Sequence, residues 1–224
     1  MNAHAKLFVF HPSPYMVDEL DVLLSQHAPE LEVENVIIPE LLDTAMQPGI
    51  TKDLRAQVEA AISKIPSRPK CVILCSCSTF GGCAEEMQSL TENSVIRIDR
   101  PMAELAVDTG QNIGVAAAVE STIGPTKDLL LSVAEAKGKH VNLHEILCSS
   151  AWERRQHNDK TGYIDKIVST LENASSCVDV MVLAQGSMAP AVERLNHLPI
   201  PVLSSPSRCR CRLCRAALPP ARLP

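Results

Sequence analysis

No apolar stretch in the 224-residue sequence approaches the roughly 20 residues that a bilayer crossing needs, so no membrane segment is expected. The N-terminal stretch reaches Pro12 before the apolar core of a secretory signal can form, which makes the cytoplasm the expected compartment. Positive charge is scarce over most of the chain. The net charge is -5, but residues 207–224 carry five arginines and no acid, leaving 16 basic against 26 acidic groups, a balance of -10, over residues 1–206. A body that acidic is a poor match for a phosphate backbone, so no nucleic-acid partner is expected. The nine cysteines are odd in number and unevenly placed, which in a reducing compartment argues against a disulfide framework. Cys71, Cys75, Cys77 and Cys83 crowd one stretch without the paired knuckles of a structural zinc site, and no metal is expected there.

What is present is a globular composition, 46% hydrophobic and 21% charged, long enough for one large or two small domains. Lys6–Phe10 is a short β-rich run, and Ser13 and Pro14 suit the cap and first position of a helix carrying Val17, Leu20 and Leu24. Val33–Ile38 is β-branched. Leu54, Val58, Ile62 and Ile65 mark one face of a helix that stops before Pro66. Cys71–Cys77 reads as a strand covered on both faces, and a helix opens at Thr79-Phe80-Gly81-Gly82.

The alternation restarts after Pro101 with strands at Asn112–Val119 and His140–Leu147. Between them lies a helix capped by Ser121 or Thr122 and stopped at Gly138. Ile164, Val168 and Leu171 line another helix. Cys177–Ala184 is a second buried strand, Gln185-Gly186-Ser187 leads into a helix with Val192 and Leu195, and Val202–Ser204 closes the series.

A shift of about 108 positions carries Cys77 onto Gln185 and Ser13 onto Ser121, laying strand-turn-helix on strand-turn-helix at both points. The expected fold is therefore α/β: two pseudo-symmetric Rossmann-like units with parallel sheets, residues 1–99 and 100–206, followed by an atypical tail, 207–224, expected to be disordered. The active site is expected in the cleft where strand ends and helix N-termini of the two units would face each other.

Cys77 ends a buried strand just before a helix start, where unpaired amides and the positive helix end favour a thiolate. Such a thiolate serves as base or nucleophile at neutral pH; the plainer role is an inert core thiol. Cys75 points to the same face but deeper, and reads as packing.

The stretch Val72-Ile73-Leu74-Cys75-Ser76-Cys77-Ser78-Thr79 resembles the first catalytic motif of the aspartate/glutamate racemase superfamily. Val182-Leu183-Ala184-Gln185-Gly186-Ser187-Met188-Ala189 resembles the second, where the family usually has a cysteine. Ile113-Gly114-Val115 with Ser121-Thr122 is similar to the strand and hydroxyl-bearing loop that open the family's second half, and His11-Pro12-Ser13-Pro14 is similar in place to the loop of its hydantoin racemase branch. The resemblance runs from about Lys6 to Pro206. It implies cofactor-independent chemistry at the carbon beside a carboxylate, one cysteine removing the α-proton and the opposite one returning a proton. It also implies a small carboxylate substrate held by Ser78 and Thr79 from one side and by Gly186 and Ser187 from the other, with Ser13, Ser121 and Thr122 at the rim. Plain helix capping is the simpler role for these serines and threonines. Many members are dimers, so the resemblance extends to a homodimer, although no interface is readable.

Gln185 occupies the place of the second cysteine, and a neutral amide is neither acid nor base near pH 7. Three outcomes stay open. The chain resembles a one-cysteine member such as the arylmalonate decarboxylases, which keep their cysteine on the side opposite Cys77; or His11 or His144 is the second base; or Cys77 attacks covalently, as in the superfamily's maleate isomerases, while Gln185 donates hydrogen bonds. A carboxylate-binding protein without catalysis is a further reading. The loop Cys148–Tyr163, with Trp152 and Arg155, is expected as a wall over the pocket or as solvated surface. Where the family continues into a helix packing on the first half, this sequence turns to an Arg/Cys/Pro/Ala run of the kind a shifted reading frame produces. A metal- or nucleic-acid-binding role for Cys209, Cys211 and Cys214 lacks a fourth ligand and stacking aromatics.

Overall fold

The computed structural model describes residues 6–11, 14, 17–29, 31–41, 51–67 and 71–205. These fall into two compact units, one closing at Ile98 and the other opening at Asp99. Ser13 and the tail 207–224 lie outside the described residues.

In the first unit the strands are β1 (Lys6–His11), β2 (Glu32–Ile37), β3 (Cys71–Cys75) and β4 (Ser94–Arg97). All pair in parallel in the order β2-β1-β3-β4. The central strands β1 and β3 are covered on both faces, which is why their sequences are almost continuously apolar. Alternation divides their side chains between two layers. Leu7, Val9, Val72 and Leu74 pack with Leu20 and Leu24 of α1 (Val17–His27). Phe8, Phe10, Ile73 and Cys75 pack with Leu54, Val58 and Ile62 of α2 (Lys52–Ser63) and with Phe80 and Cys83 of α3 (Ser78–Glu86). The Thr51 hydroxyl opens α2 by accepting the Leu54 N–H at 3.1 Å.

The second unit repeats the plan with β5 (Asn112–Ala117), β6 (Asn142–Leu147), β7 (Val180–Leu183) and β8 (Val202–Ser204), parallel in the order β6-β5-β7-β8. Its helices are α4 (Arg100–Thr109), α5 (Ile123–Ala136), α6 (Ser149–Gln156), α7 (Lys160–Ala174) and the single turn α8 (Ala191–Arg194). Met102, Leu130 and Val133 cover Ile113, Val115, Val180 and Val182 on one face. Tyr163, Ile167 and Leu171 cover Ala116, Met181 and Leu183 on the other. Gly138 ends α5 with φ +62, and Lys139 N–H turns back to Ala134 C=O at 2.9 Å.

The expected α/β fold of two parallel-sheet units is the fold observed. Three local expectations differ. The stretch 148–163 is not a loop: Ser149–Gln156 forms α6, and α7 starts at Lys160, where the Asp159 carboxylate caps it by accepting the Gly162 N–H at 2.8 Å. α5 begins only at Ile123, since Glu120–Thr122 forms a 3-10 turn in which the Thr122 hydroxyl donates to Val119 C=O at 2.7 Å instead of capping. The stretch after Gln185 is a 3-10 turn, Gly186–Met188, before the short α8. Among the described residues no helix is long and apolar enough to cross a membrane.

Candidate active site

Two strand ends hold the same backbone position in their own units. Cys77 follows β3 with φ -113 and ψ 123 and stands at the N-cap of α3. Gln185 follows β7 with φ -122 and ψ 134 and stands at the N-cap of the Gly186–Met188 turn. In both cases a buried strand delivers an extended residue to the amide-rich start of a helical turn, where negative charge is favoured.

Cys77 is half-buried, its inner side against the Phe10, Ile73 and Phe80 layer. Cys75 is fully buried, and its Sγ donates to Cys77 C=O at 3.4 Å. Ser78 and Thr79 are buried in the first turn of α3. Beneath that turn lies Arg97, the last residue of β4, only 4% exposed. Its Nη2 donates to Ser78 C=O at 3.3 Å, and its Nη1 is 3.9 Å from Glu85 Oε2. A Cβ on Gly81 would come within 2.5 Å of Arg97 Nε, so glycine here is what lets the guanidinium lie against the helix. Arg97 was not singled out from sequence, because its strand has only four residues and no clear alternation.

Other thiols are poor competitors. Burial pushes the Cys83 thiol up, and pushes Cys148 up to about 11 although Cys148 also stands at a helix N-cap. Burial there outweighs the helix end. His11, weighed as a second base, is fully buried with both ring nitrogens engaged, Nε2 to Asn35 Oδ1 at 2.9 Å and Nδ1 to Ser76 Oγ at 3.0 Å. Desolvation lowers its pKa, with Asn35 and the Asp21 charge opposing. His144 is exposed on the edge strand β6.

In the second unit the Gln185 Oε1 accepts two backbone N–H groups, from Ala118 at 2.6 Å and Val119 at 3.0 Å. With that oxygen committed, the chemistry left to the side chain is N–H donation. Ser187, half-buried in the following turn, shares a 2.8 Å hydrogen bond with the hydroxyl of buried Tyr163, over whose ring the Arg155 guanidinium sits at 5.7 Å. Gly186 is half-buried, as is Ser121, while Thr122 is buried with its hydroxyl proton used on Val119. Among the described residues no group of three or more His, Cys, Asp or Glu is placed to hold a metal ion.

The architecture defines a class: a doubly built parallel α/β chain whose two buried strand ends each open onto a helical turn. No family model matches the sequence, and no curated protein matches it. Solved structures of the aspartate/glutamate racemase fold do resemble it. A glutamate racemase from Bacillus anthracis aligns with TM-score 0.72 and 15% identity over 94% of this chain and 80% of that one. An aspartate racemase from Picrophilus torridus aligns with TM-score 0.63 and 15% identity over 94% and 93%. An arylmalonate decarboxylase aligns with TM-score 0.57 and 14% identity over 96% and 94%. At these identities the likeness is one of fold, and function rests on the residues of the site.

Proposed function

We propose that this chain is a cofactor-independent enzyme acting at the carbon alpha to a carboxylate, with Cys77 moving the proton. In this reading the Cys77 thiolate takes the α-proton, leaving an enediolate stabilised by backbone amides and hydroxyls, and then returns a proton to the same carbon. Gln185, Ser78, Thr79, Ser121, Gly186 and Ser187 supply hydrogen bonds to the small carboxylate substrate, with Ser13 as a further contact, while Thr122, whose hydroxyl and N–H both turn to Val119 C=O, shapes the turn beside them. A cytoplasmic homodimer is the setting this reading carries with it. The observation that supports it most is the matching pair of strand-end positions, one bearing a thiol at a helix N-cap, in a fold whose solved examples include racemases and a decarboxylase.

The commitment of the Gln185 oxygen to Ala118 and Val119 favours one-thiol chemistry over a symmetric two-base racemase. Proton exchange without inversion, decarboxylation or isomerisation are its forms. The test is incubation of amino acids, dicarboxylates, hydantoins and arylmalonates in heavy water with the protein and with Cys77→Ala. Deuterium entering the α-position without inversion, or carbon dioxide released, and lost in Cys77→Ala, supports the one-thiol reading. Inversion dependent on Cys77 supports a racemase. Binding with no exchange, release or inversion for any substrate overturns catalysis.

A further inference from the structure

Four polar side chains from four segments of the first unit form one continuous chain. Asp21 on α1 takes both its oxygens to 3.1 Å from Asn35 Nδ2 on β2. Asn35 Oδ1 lies 2.9 Å from Nε2 of His11 at the end of β1, and His11 Nδ1 lies 3.0 Å from Oγ of Ser76, the residue just before Cys77. Chemistry orders the chain from its acidic end. A carboxylate only accepts, so the Asn35 NH2 faces Asp21 and its carbonyl faces His11. Nε2 must then carry the ring proton, and the neutral ring that burial favours offers its Nδ1 lone pair to the Ser76 hydroxyl. Ser76 Oγ also lies 3.1 Å from Phe10 C=O, which receives the Ser76 N–H at 3.1 Å through its other lone pair, so the one hydroxyl proton sits between two acceptors, this carbonyl and Nδ1.

The second unit gives the control. At the end of β5, where His11 would be, stands Ala117; before Gln185, where Ser76 would be, stands Ala184. Both are fully buried and pack together with Ile123. The backbone bond is kept, Ala184 N–H to Ala116 C=O at 2.8 Å, so the fold does not need the polar chain to seat this residue. This polar chain, fully buried only at His11, is matched in the sister unit by an apolar pair, so seating the strand end does not by itself call for it. It occurs at the strand end that bears the thiol.

We propose that the Asp21–Asn35–His11–Ser76 chain is a positioning device for Cys77. It holds the Cys75–Ser76–Cys77 peptide from the face opposite the sulfur, and so fixes how the thiol meets the first turn of α3. Cys75 braces the thiol face through its bond to Cys77 C=O. None of the four residues of the chain is assigned contact with substrate. The proposal rests on Cys77 being the reactive group.

The test is the rate of iodoacetamide alkylation at Cys77, located by peptide mass mapping, as a function of pH in the full chain. Wild type is expected to ionise below the roughly 8.5 of an ordinary thiol. Ser76→Ala, which installs the residue of the second unit, is expected to raise that midpoint by about one pH unit and to slow alkylation at neutral pH about tenfold. Ser76→Thr keeps the hydroxyl and is expected to restore the wild-type midpoint. The double variant His11→Leu/Ser76→Ala copies the apolar pairing of the second unit, guards against misfolding of the single variant and is expected to show the same shift. A lowered wild-type midpoint that stays put in both Ala-bearing variants overturns the positioning role and leaves the Cys77 reading standing. A wild-type midpoint equal to that of an ordinary thiol overturns the Cys77 reading and the positioning role with it.

Discussion

The ends of β3 and β7 share backbone geometry and differ in everything chemical. At one, a thiol is half-buried over a turn underlain by Arg97 and is held from behind by a polar chain. At the other, an amide folds back onto Ala118 and Val119 and is backed by alanines. A parallel sheet fixes where a strand-end residue emerges and that amides wait there; it does not fix what the residue does. What distinguishes the first unit is its side chains: Ser76 and His11 stand behind the thiol, where Ala184 and Ala117 stand in the second unit.

The strongest way to break this comparison is to make the two ends alike. Gln185→Cys frees the Ala118 and Val119 amides and adds a second thiol at the matching position. If the two ends are functionally equivalent, inversion of substrate relative to solvent exchange rises by about 10²–10⁴, the usual range for one acid–base group. The measurement is chiral product analysis run beside deuterium incorporation, and an unchanged ratio would sink the equivalence.

Packing should not distinguish the units, and that is the next test. Leu74 in β3 and Leu183 in β7 are both fully buried in central strands. Leu74→Ala and Leu183→Ala are each expected to destabilise by about 2–5 kcal/mol, read from denaturant midpoints. A marked difference between the two would show that the sheets are not equivalent as scaffolds.

Acid sharpens the comparison again, because only the first unit carries a histidine at its first strand end. His11 has its pKa lowered from 6.5, chiefly by burial. Below that pH the unfolded chain binds a proton that the folded chain refuses. The stability present above about pH 6.5 is therefore lost progressively as pH falls toward the folded value. Wild type is expected to lose stability in this window, while His11→Leu, which resembles the Ala117 end, is expected to show a shallower decline. Equal slopes for the two proteins would mean that His11 takes up its proton at the same pH folded and unfolded.

Much of this asymmetry could be read before any coordinates. The apolar runs at Cys71–Cys75 and Val180–Leu183 and the shared spacing around them located both strand ends, because fully covered parallel strands leave a continuous apolar signature. The exchange of Cys77 for Gln185 was visible in the same alignment. What stayed hidden depends on partners distant in sequence. Ser94–Arg97 is too short to show alternation, so Arg97 surfaced only when β4 put it under α3. The polar SSAWERRQ stretch of α6 has one fully buried residue, Ala151, and gives no helical stripe. Asp21, Asn35 and Tyr163 belong to no motif, and their partners, His11 and Ser187, come to them only through the fold. Cys148 illustrates the limit of local argument: like Cys77 it precedes a helix, yet its burial, invisible in sequence, lifts its pKa to about 11.

The smallest expected effect separates capping from chemistry within the first unit. α2 starts at Thr51, whose hydroxyl accepts the Leu54 N–H, whereas α3 starts at Cys77, whose side chain makes no capping bond to its helix. Thr51→Ala is therefore expected to destabilise by about 1 kcal/mol in denaturant titration. Because α2 packs on the sheet through Leu54, Val58 and Ile62, and these stay in place, the same variant is expected to leave the alkylation profile of Cys77 unchanged. A shift of that profile in Thr51→Ala would mean that any loosening of the first unit reaches the thiol. The control of Cys77 would then belong to the unit as a whole and not to the four side chains behind it.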